Sequence, residues 1–180
     1  LKSKARKTPA AFGAAVGGPK ARGIYFTSDK GSEFVELYYY DLKKRQAKPR
    51  SNTISWNVEH LAMASDGRTL AFTTNEGGYS RLWMLDTRRK KAKQVKVPDG
   101  IIRDMRFSRN PKMKTMLGFT LYRPTSPGDA YSYETRRRKL ERWTKSEVGG
   151  LNSDFFVAPT LINYPTFDQV SGKPRQISAF

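Results

Sequence analysis

The feature that most constrains this chain is a strand-rich unit that returns at intervals of about 45 residues. Ile24–Asp29 aligns with Leu70–Asn75 at an offset of 46, and Leu37–Leu42 aligns with Leu82–Thr87 at an offset of 45. A weaker third copy occupies residues 101–146. Repeats of this length with four short strands are typical of β-propeller blades, which bury their faces only against neighbouring blades.

The second copy shows its turns most clearly. Asp66-Gly67 predicts a two-residue hairpin, because this dipeptide adopts positive φ angles at little cost. Asn75, Gly77 and Gly78 predict the following turn for the same reason. We assign these five residues a structural role that needs no ligand. No segment combines apolar residues at helical spacing with capping residues at its start, so we expect almost no helix.

These patterns predict an all-β fold, a partial β-propeller of about three four-stranded antiparallel blades. The blades are expected at residues 12–50, 54–97 and 101–146, after a basic linker at residues 1–11 and before a different segment at residues 147–180. A closed ring of six to eight such blades needs roughly 270 to 360 residues, so we expect a longer parent protein.

The segment Thr135–Lys145 is the nearest approach to a helical pattern. We interpret it as a charged turn that leads into the outer strand of the third blade. Leu140 and Trp143 are its predicted packing residues.

A family resemblance rests on the second blade and on the C-terminal segment. Trp56–Glu59, Ser65–Phe72 and Thr74–Ser80 resemble the TolB-like propeller repeats of the prolyl oligopeptidase family, the acylaminoacyl-peptidase-like serine peptidases. Ala158–Asp168 resembles the segment through which these enzymes leave the propeller, and Lys173–Phe180 resembles most of the next strand. The resemblance implies that residues 147–180 are a linker and the first hairpin of an α/β-hydrolase domain.

The same resemblance implies a propeller portion that is not catalytic by itself and that controls peptide access to an active site outside the chain. Its partners are then a peptide substrate and the hydrolase domain. Such hydrolases use a Gly-x-Ser-x-Gly nucleophile elbow, which this sequence lacks, and His60 is interpreted as structural. The first strand of each blade is expected to line the channel, where Arg103 and Arg106 could meet a peptide carboxylate. No cofactor or metal is expected.

The charge raises one of the two alternative functions, nucleic-acid binding. The chain has 34 basic and 16 acidic residues, a net charge of +18 and a pI near 10.3, as expected of a nucleic-acid-binding protein. Residues 43–50, 88–96 and 136–145 contain 17 of the 34 basic residues, which predicts a basic collar on one rim of the propeller. Solvated hairpins are the simpler explanation of such charges, so nucleic acid is not the expected partner. The alternatives are a basic nucleic-acid-binding β protein and a stand-alone TolB-like protein-interaction module.

The remaining composition indicates the expected cellular location and partners. The absence of cysteine excludes disulfides and cysteine zinc sites, and we expect a cytoplasmic protein. No apolar run approaches the ~20 residues of a membrane span, so no membrane partner is expected. Open blade edges predict strand pairing or a homo-oligomer.

Overall fold

β-strands dominate the part of the chain described by a computed structural model, residues 9–170 and 172–180. Twelve strands form three four-stranded antiparallel meanders, and two more form a separate hairpin. The predicted partial propeller with a C-terminal hairpin is therefore confirmed. The strands are β1 (Phe12–Gly17), β2 (Gly23–Ser28), β3 (Glu36–Asp41), β4 (Gln46–Pro49), β5 (Asn57–Met63), β6 (Thr69–Glu76), β7 (Tyr79–Asp86), β8 (Lys91–Val95), β9 (Ile101–Phe107), β10 (Met116–Arg123), β11 (Ser126–Glu134), β12 (Lys139–Arg142), β13 (Ile162–Val170) and β14 (Lys173–Ala179).

Each blade carries one stacked aromatic pair at the same point of the ladder between its second and third strands. The two ring centroids lie between 5.6 and 6.0 Å apart, a separation typical of favourable aromatic packing. The three pairs are Phe26–Tyr38, Phe72–Trp83 and Phe119–Tyr131.

The second blade is buried on both faces. Leu70, Phe72 and Leu85 pack against the first blade, and Ala71 and Leu82 pack against the third. The five consecutive residues 70–74 are buried, although an antiparallel strand with one wet face would alternate. The innermost strands β1, β5 and β9 lie next to one another, as in adjacent blades of a propeller.

The turn at Asp66-Gly67 is longer than the sequence predicts. Gly67 N donates to Ala64 O at 2.8 Å, and Ala64 N donates to Thr69 O at 2.9 Å. Only Gly67 of the dipeptide has a positive φ, 65°, so the predicted two-residue hairpin is wrong. Asp66 contributes instead through its carboxylate, which accepts a hydrogen bond from the backbone of Arg68 at 2.9 Å.

The other turns differ in how they reach left-handed backbone angles. Gly77 and Gly78 form a two-residue turn with φ angles of 59° and 90°. At the equivalent of the Asp-Gly turn, the first blade uses Lys20 and Ala21, whose φ angles are 55° and 52°. Non-glycine residues rarely adopt these angles, and this turn reaches them without the Asp-Gly dipeptide of the second blade.

The outer strand of the third blade packs only partly as predicted. Leu140 on β12 contacts the core between the second and third blades. Trp143 lies just beyond this strand and is 64% exposed, so its predicted packing role is wrong. Its indole N–H donates to Ser132 Oγ at 2.8 Å, which holds the ring at the blade surface.

The C-terminal hairpin is largely exposed. Most residues of β13 and β14 are open to solvent, in contrast to the blade cores. The linker before it contains a short 3₁₀ helix at Ser153–Phe155. No helix in residues 9–170 or 172–180 has the length and apolar character needed to cross a membrane.

Candidate functional site

The blades present two different faces. In an antiparallel meander, the turns after the first and third strands lie at one end and the turn after the second strand lies at the other. We call the end with the turn after the second strand the hairpin face, because the C-terminal hairpin contacts it. The opposite end is called the basic face.

A β-bulge occurs in each innermost strand, at the same ladder position in β1 and β5 and one position away in β9. The extra residues are Gly13-Ala14 in β1, Glu59-His60 in β5 and Asp104-Met105 in β9, each pair facing one residue of the next strand. Bulges bend a strand and change the direction of nearby side chains. The repeat in the sequence did not predict these bulges. Thr27 and Thr73 follow the aligned Phe26 and Phe72 and lie opposite two of the bulges, so they are the signal that could have indicated them.

Arg103 and Arg106 lie on either side of the bulge in β9, and both are exposed. Arg103 lines a depression of about 280 Å³ near the hairpin face together with Glu59, His60 and Asn75. Arg106 is not part of this depression. The structure therefore separates the two predicted channel residues and associates Arg103 with the second blade.

His60 shows no arrangement for nucleophilic catalysis. Ser80 lines the same depression, but its Oγ accepts a hydrogen bond from Ile102 N at 3.0 Å and is buried. The backbone N–H of His60 donates to Thr73 Oγ1 at 3.3 Å. No hydrogen bond joins the His60 ring to Ser80 among the described residues, and these residues contain no cluster suited to a metal ion.

The predicted turn residues Asn75, Gly77 and Gly78 are where the C-terminal hairpin docks. The Phe180 ring lies so close to Gly78 that a Cβ there would be 2.5 Å from a ring carbon. The same ring packs edge-on against Tyr79, with 5.2 Å between centroids. Asn75 Oδ1 accepts from Gly78 N at 2.9 Å and fixes the turn. Glycine here thus provides both a left-handed backbone and room for an aromatic ring.

A second contact ties the hairpin to the first blade. Arg175 on β14 contacts Glu33 at 2.8 Å, and its Nε lies 2.8 Å from Asp168 on β13. These two carboxylates raise the pKa of Arg175, with hydrogen bonding to Glu33 as the largest cause. Glu33 lies in the loop between β2 and β3, so the hairpin contacts the same face of two neighbouring blades.

The basic face carries three turns that share the same hydrogen-bonding pattern. In each, an acidic residue at the end of the third strand accepts hydrogen bonds from the backbone N–H groups two and three residues later. Three basic residues follow, and the last one has a positive φ between 51° and 57°. The acids are Asp41, Asp86 and Glu134, and the basic residues are Lys43–Arg45, Arg88–Lys90 and Arg136–Arg138. The predicted basic collar corresponds to these turns.

These hydrogen bonds favour the ionised acids. The backbone N–H of Arg89 is the largest cause of the lowered pKa of Asp86. For Glu134, burial opposes ionisation, but hydrogen bonds from Thr115 and from backbone N–H groups lower the pKa overall. The carboxylates are therefore committed to the turns, while the basic side chains extend into solvent.

A buried charge cluster closes the third blade. Asp129 is 1% exposed and accepts hydrogen bonds from Ser126 Oγ, Thr144 Oγ1, Ser146 N and Arg142 Nη2 at 2.6 to 3.0 Å. Burial alone would raise the pKa of Asp129, but these donors outweigh it and the pKa falls well below its usual range. The cluster is saturated by its own partners and has a structural role.

Comparison with known proteins establishes the fold. No protein-family model matches the sequence, and no curated protein is significantly similar to it. Among solved structures, prolyl oligopeptidase B from Galerina marginata bound to a 35mer hydrolysis and macrocyclization substrate has a TM-score of 0.73 at 12% identity, over 94% of this chain and 23% of that chain.

Two further structures show the same similarity. A puromycin-hydrolyzing peptidase of Mycobacterium tuberculosis has a TM-score of 0.68 at 15% identity, over 93% of this chain and 25% of that one. TolB from Acinetobacter baumannii has a TM-score of 0.57 at 21% identity, over 76% of this chain and 32% of that one. The chain thus spans a third or less of the length of these proteins. It is a partial β-propeller with the fold found in TolB and in prolyl oligopeptidase structures.

Proposed function

We propose that this chain is the non-catalytic propeller portion of a serine peptidase or hydrolase of the prolyl oligopeptidase type. The observation that carries the proposal is the C-terminal hairpin, which leaves the third blade and docks on the hairpin face through Phe180 and Arg175. A chain that is similar to such peptidases over 93–94% of its length, against 76% for TolB, supports the same reading.

The proposal places the hydrolase domain on the hairpin face, with the nucleophile outside these 180 residues. The hairpin then acts as the first element of that domain and as its contact with the blades. Because the depression lined by Glu59, His60 and Arg103 opens beside Gly78, it lies next to the proposed domain boundary. A peptide that passes the innermost strands would meet this depression before it reaches the active site.

The propeller would act as a filter on the size of substrates. Closing a hydrolase site with a propeller excludes folded proteins and lowers water access during acyl transfer. Phe12 on the outer face of the first blade is 67% exposed and lies 5.8 Å from Phe26, centroid to centroid. In the second blade, Phe72 is the counterpart of Phe26 and is covered by the first blade, so this exposed face is suited to pack against a further blade.

The decisive test is active-site labelling. We expect a fluorophosphonate probe to leave this chain unlabelled and to label the protein encoded by the complete gene at a serine downstream of Phe180. Labelling of neither protein, with no Gly-x-Ser-x-Gly elbow downstream, would reject the proposal in favour of a stand-alone TolB-like interaction module.

The gating role has its own test in the complete protein. Replacing Arg103 and Arg106 with Ala should raise the KM for peptides with a free C-terminal carboxylate, and should leave amidated peptides nearly unchanged. Arg109→Ala is the matched control, because Arg109 is an exposed arginine just beyond β9. Equal kinetics of the double variant and the wild type on both peptide classes would remove the peptide-contact role.

A further inference from the structure

A basic depression lies on the basic face, where the first and second blades meet. Its volume is about 300 Å³. The walls come from β3 and β4 of the first blade and from the turn after β7 of the second blade. Five basic side chains line it, namely Arg22, Lys44, Lys48, Arg50 and Lys90.

The positive charge in this depression is not balanced. None of the five basic residues forms an ion pair with a carboxylate in residues 9–170 and 172–180. Asp41 is the one acidic residue in the lining, and its Oδ1 already accepts hydrogen bonds from the backbone of Lys43 and Lys44. By contrast, Arg81, Arg142 and Arg175 each have a carboxylate at 2.6 or 2.8 Å. Concentrated like charge in a concave site attracts an anion.

Arg50 is held in place within the depression. Its Nη1 donates to Pro49 O at 2.9 Å, and its guanidinium lies 5.6 Å from the centre of the Tyr39 ring. Its Nε is buried and has no hydrogen-bond partner in the described part of the chain. A buried donor without a partner is costly, and an ordered guanidinium is well suited to the oxygens of a phosphate group.

The neighbouring groove between the second and third blades is also basic, but it is wider, with a volume of about 960 Å³. None of the residues given for its lining has a buried side-chain donor without a partner in the described part of the chain. The depression between the first and second blades lies on the face opposite the C-terminal hairpin, and both of the blades that form it are present. Neither the hairpin nor a further blade at either end would cover it.

We propose that the depression between the first and second blades binds a compact oligophosphate, a ligand with two or three linked phosphate groups. Five basic side chains converge on a space that is too small for a folded partner. Their combined positive charge exceeds the single negative charge of Asp41. Lys44 and Lys90 belong to the basic turns, while Lys48 and Arg50 come from β4 and the residue after it. The site therefore depends on the junction of two blades.

The test measures binding of sodium tripolyphosphate to the full chain by titration calorimetry at fixed ionic strength. We expect saturable binding with one ligand per chain, and weaker binding of inorganic phosphate. In the double variant Lys44→Gln/Lys48→Gln, two charge-assisted contacts are lost, and the affinity should fall by about tenfold or more.

The matched control is Lys43→Gln/Lys112→Gln. It removes the same charge from two exposed lysines on the same face that do not line the depression. We expect the control to change tripolyphosphate affinity by less than about threefold, since only the general field of the face is reduced. Urea midpoints show that all variants are folded.

Two outcomes overturn the proposal. One is equal loss of affinity in both double variants, which would show that only net charge matters. The other is the absence of saturable tripolyphosphate binding while a single-stranded RNA oligonucleotide binds, which would indicate a polymer that contacts the whole basic face. RNA that binds only in competition with tripolyphosphate, and loses affinity mainly in the Lys44/Lys48 variant, supports the site.

Discussion

Replacing Asp129 with Asn tests the buried charge cluster of the third blade. The two carboxylate oxygens of Asp129 divide four donors between them, Thr144 and Ser146 on Oδ1, and Ser126 and Arg142 on Oδ2. Asparagine has one amide nitrogen in place of an oxygen. In either orientation, that nitrogen would face two donors and accept from neither.

The size of the effect follows from these contacts. A hydrogen bond to a charged group contributes about 1.5–3 kcal/mol, and breaking a buried ion pair costs about 3–5 kcal/mol. Because the Arg142 side chain is 33% exposed and can be partly solvated, we expect the lower end. The free energy of unfolding should fall by about 3 kcal/mol, which lowers Tm by about 6–12 °C in a chain of this size.

A matched control separates burial from pairing. Asp99 forms an ion pair with Arg81 at 2.6 Å, the same distance as between Asp129 and Arg142, but the Asp99 side chain is 64% exposed. Exposed pairs contribute about 0–1 kcal/mol, so Asp99→Asn should change stability by less than about 1 kcal/mol. Urea denaturation followed by tryptophan fluorescence measures the free energy of unfolding of both variants, and the dependence of that free energy on urea concentration should be the same in both. Equal losses in the two variants, or a loss below about 1 kcal/mol for Asp129→Asn, would refute the reasoning.

The same variant should change how stability depends on pH. The pKa of Asp129 is lowered in the folded protein, so its contribution is present above the unfolded pKa of about 3.9 and is lost as pH falls through the folded value. Below about pH 4, the unfolded state binds the extra proton, and stability decreases. We expect Asp129→Asn to flatten this part of the profile, and an unchanged slope below pH 4 would contradict the assigned pKa shift.

Three further predictions concern the hairpin, the core and the turns. Gly78→Val should displace the Phe180 ring, because a Cβ would lie 2.5 Å from it, and limited proteolysis between residues 147 and 160 should become faster; an unchanged cleavage rate would argue against docking. Phe72→Ala removes a fully buried ring stacked on Trp83 and should cost about 3–5 kcal/mol in urea denaturation, and a loss below about 1 kcal/mol would contradict its place in the core. Glu134→Gln should lower stability at pH 7 and reduce its loss on acidification, because the folded pKa of Glu134 is lowered; identical pH profiles of variant and wild type would count against this.

Much of the fold follows from local sequence patterns. Asn75, Gly77 and Gly78 predicted a turn because asparagine and glycine tolerate left-handed backbone angles. The left-handed angles of Lys20 and Ala21 could not be predicted, because these residues rarely adopt positive φ without support from their surroundings. Trp143 was misassigned since its hydrogen bond to Ser132 depends on where the chain leaves the ladder.

The candidate surfaces were less accessible to sequence reasoning. The basic turns were found, because basic residues cluster at the same point of every repeat. The depression lined by Arg50 and Lys90 was not found, since these residues are 40 positions apart and meet only where two blades pack. The hairpin contact between Glu33 and Arg175 spans 142 positions and has no local signature.

The sequence by itself determined the strands, the three blades and the basic turns, because these depend on residues close together in the chain and recur with the repeat. Tertiary structure decided which charges stay unpaired and where the hairpin docks. Those features arise between blades or between distant segments, where each side chain's partner depends on how whole sheets pack and not on the repeat that formed them.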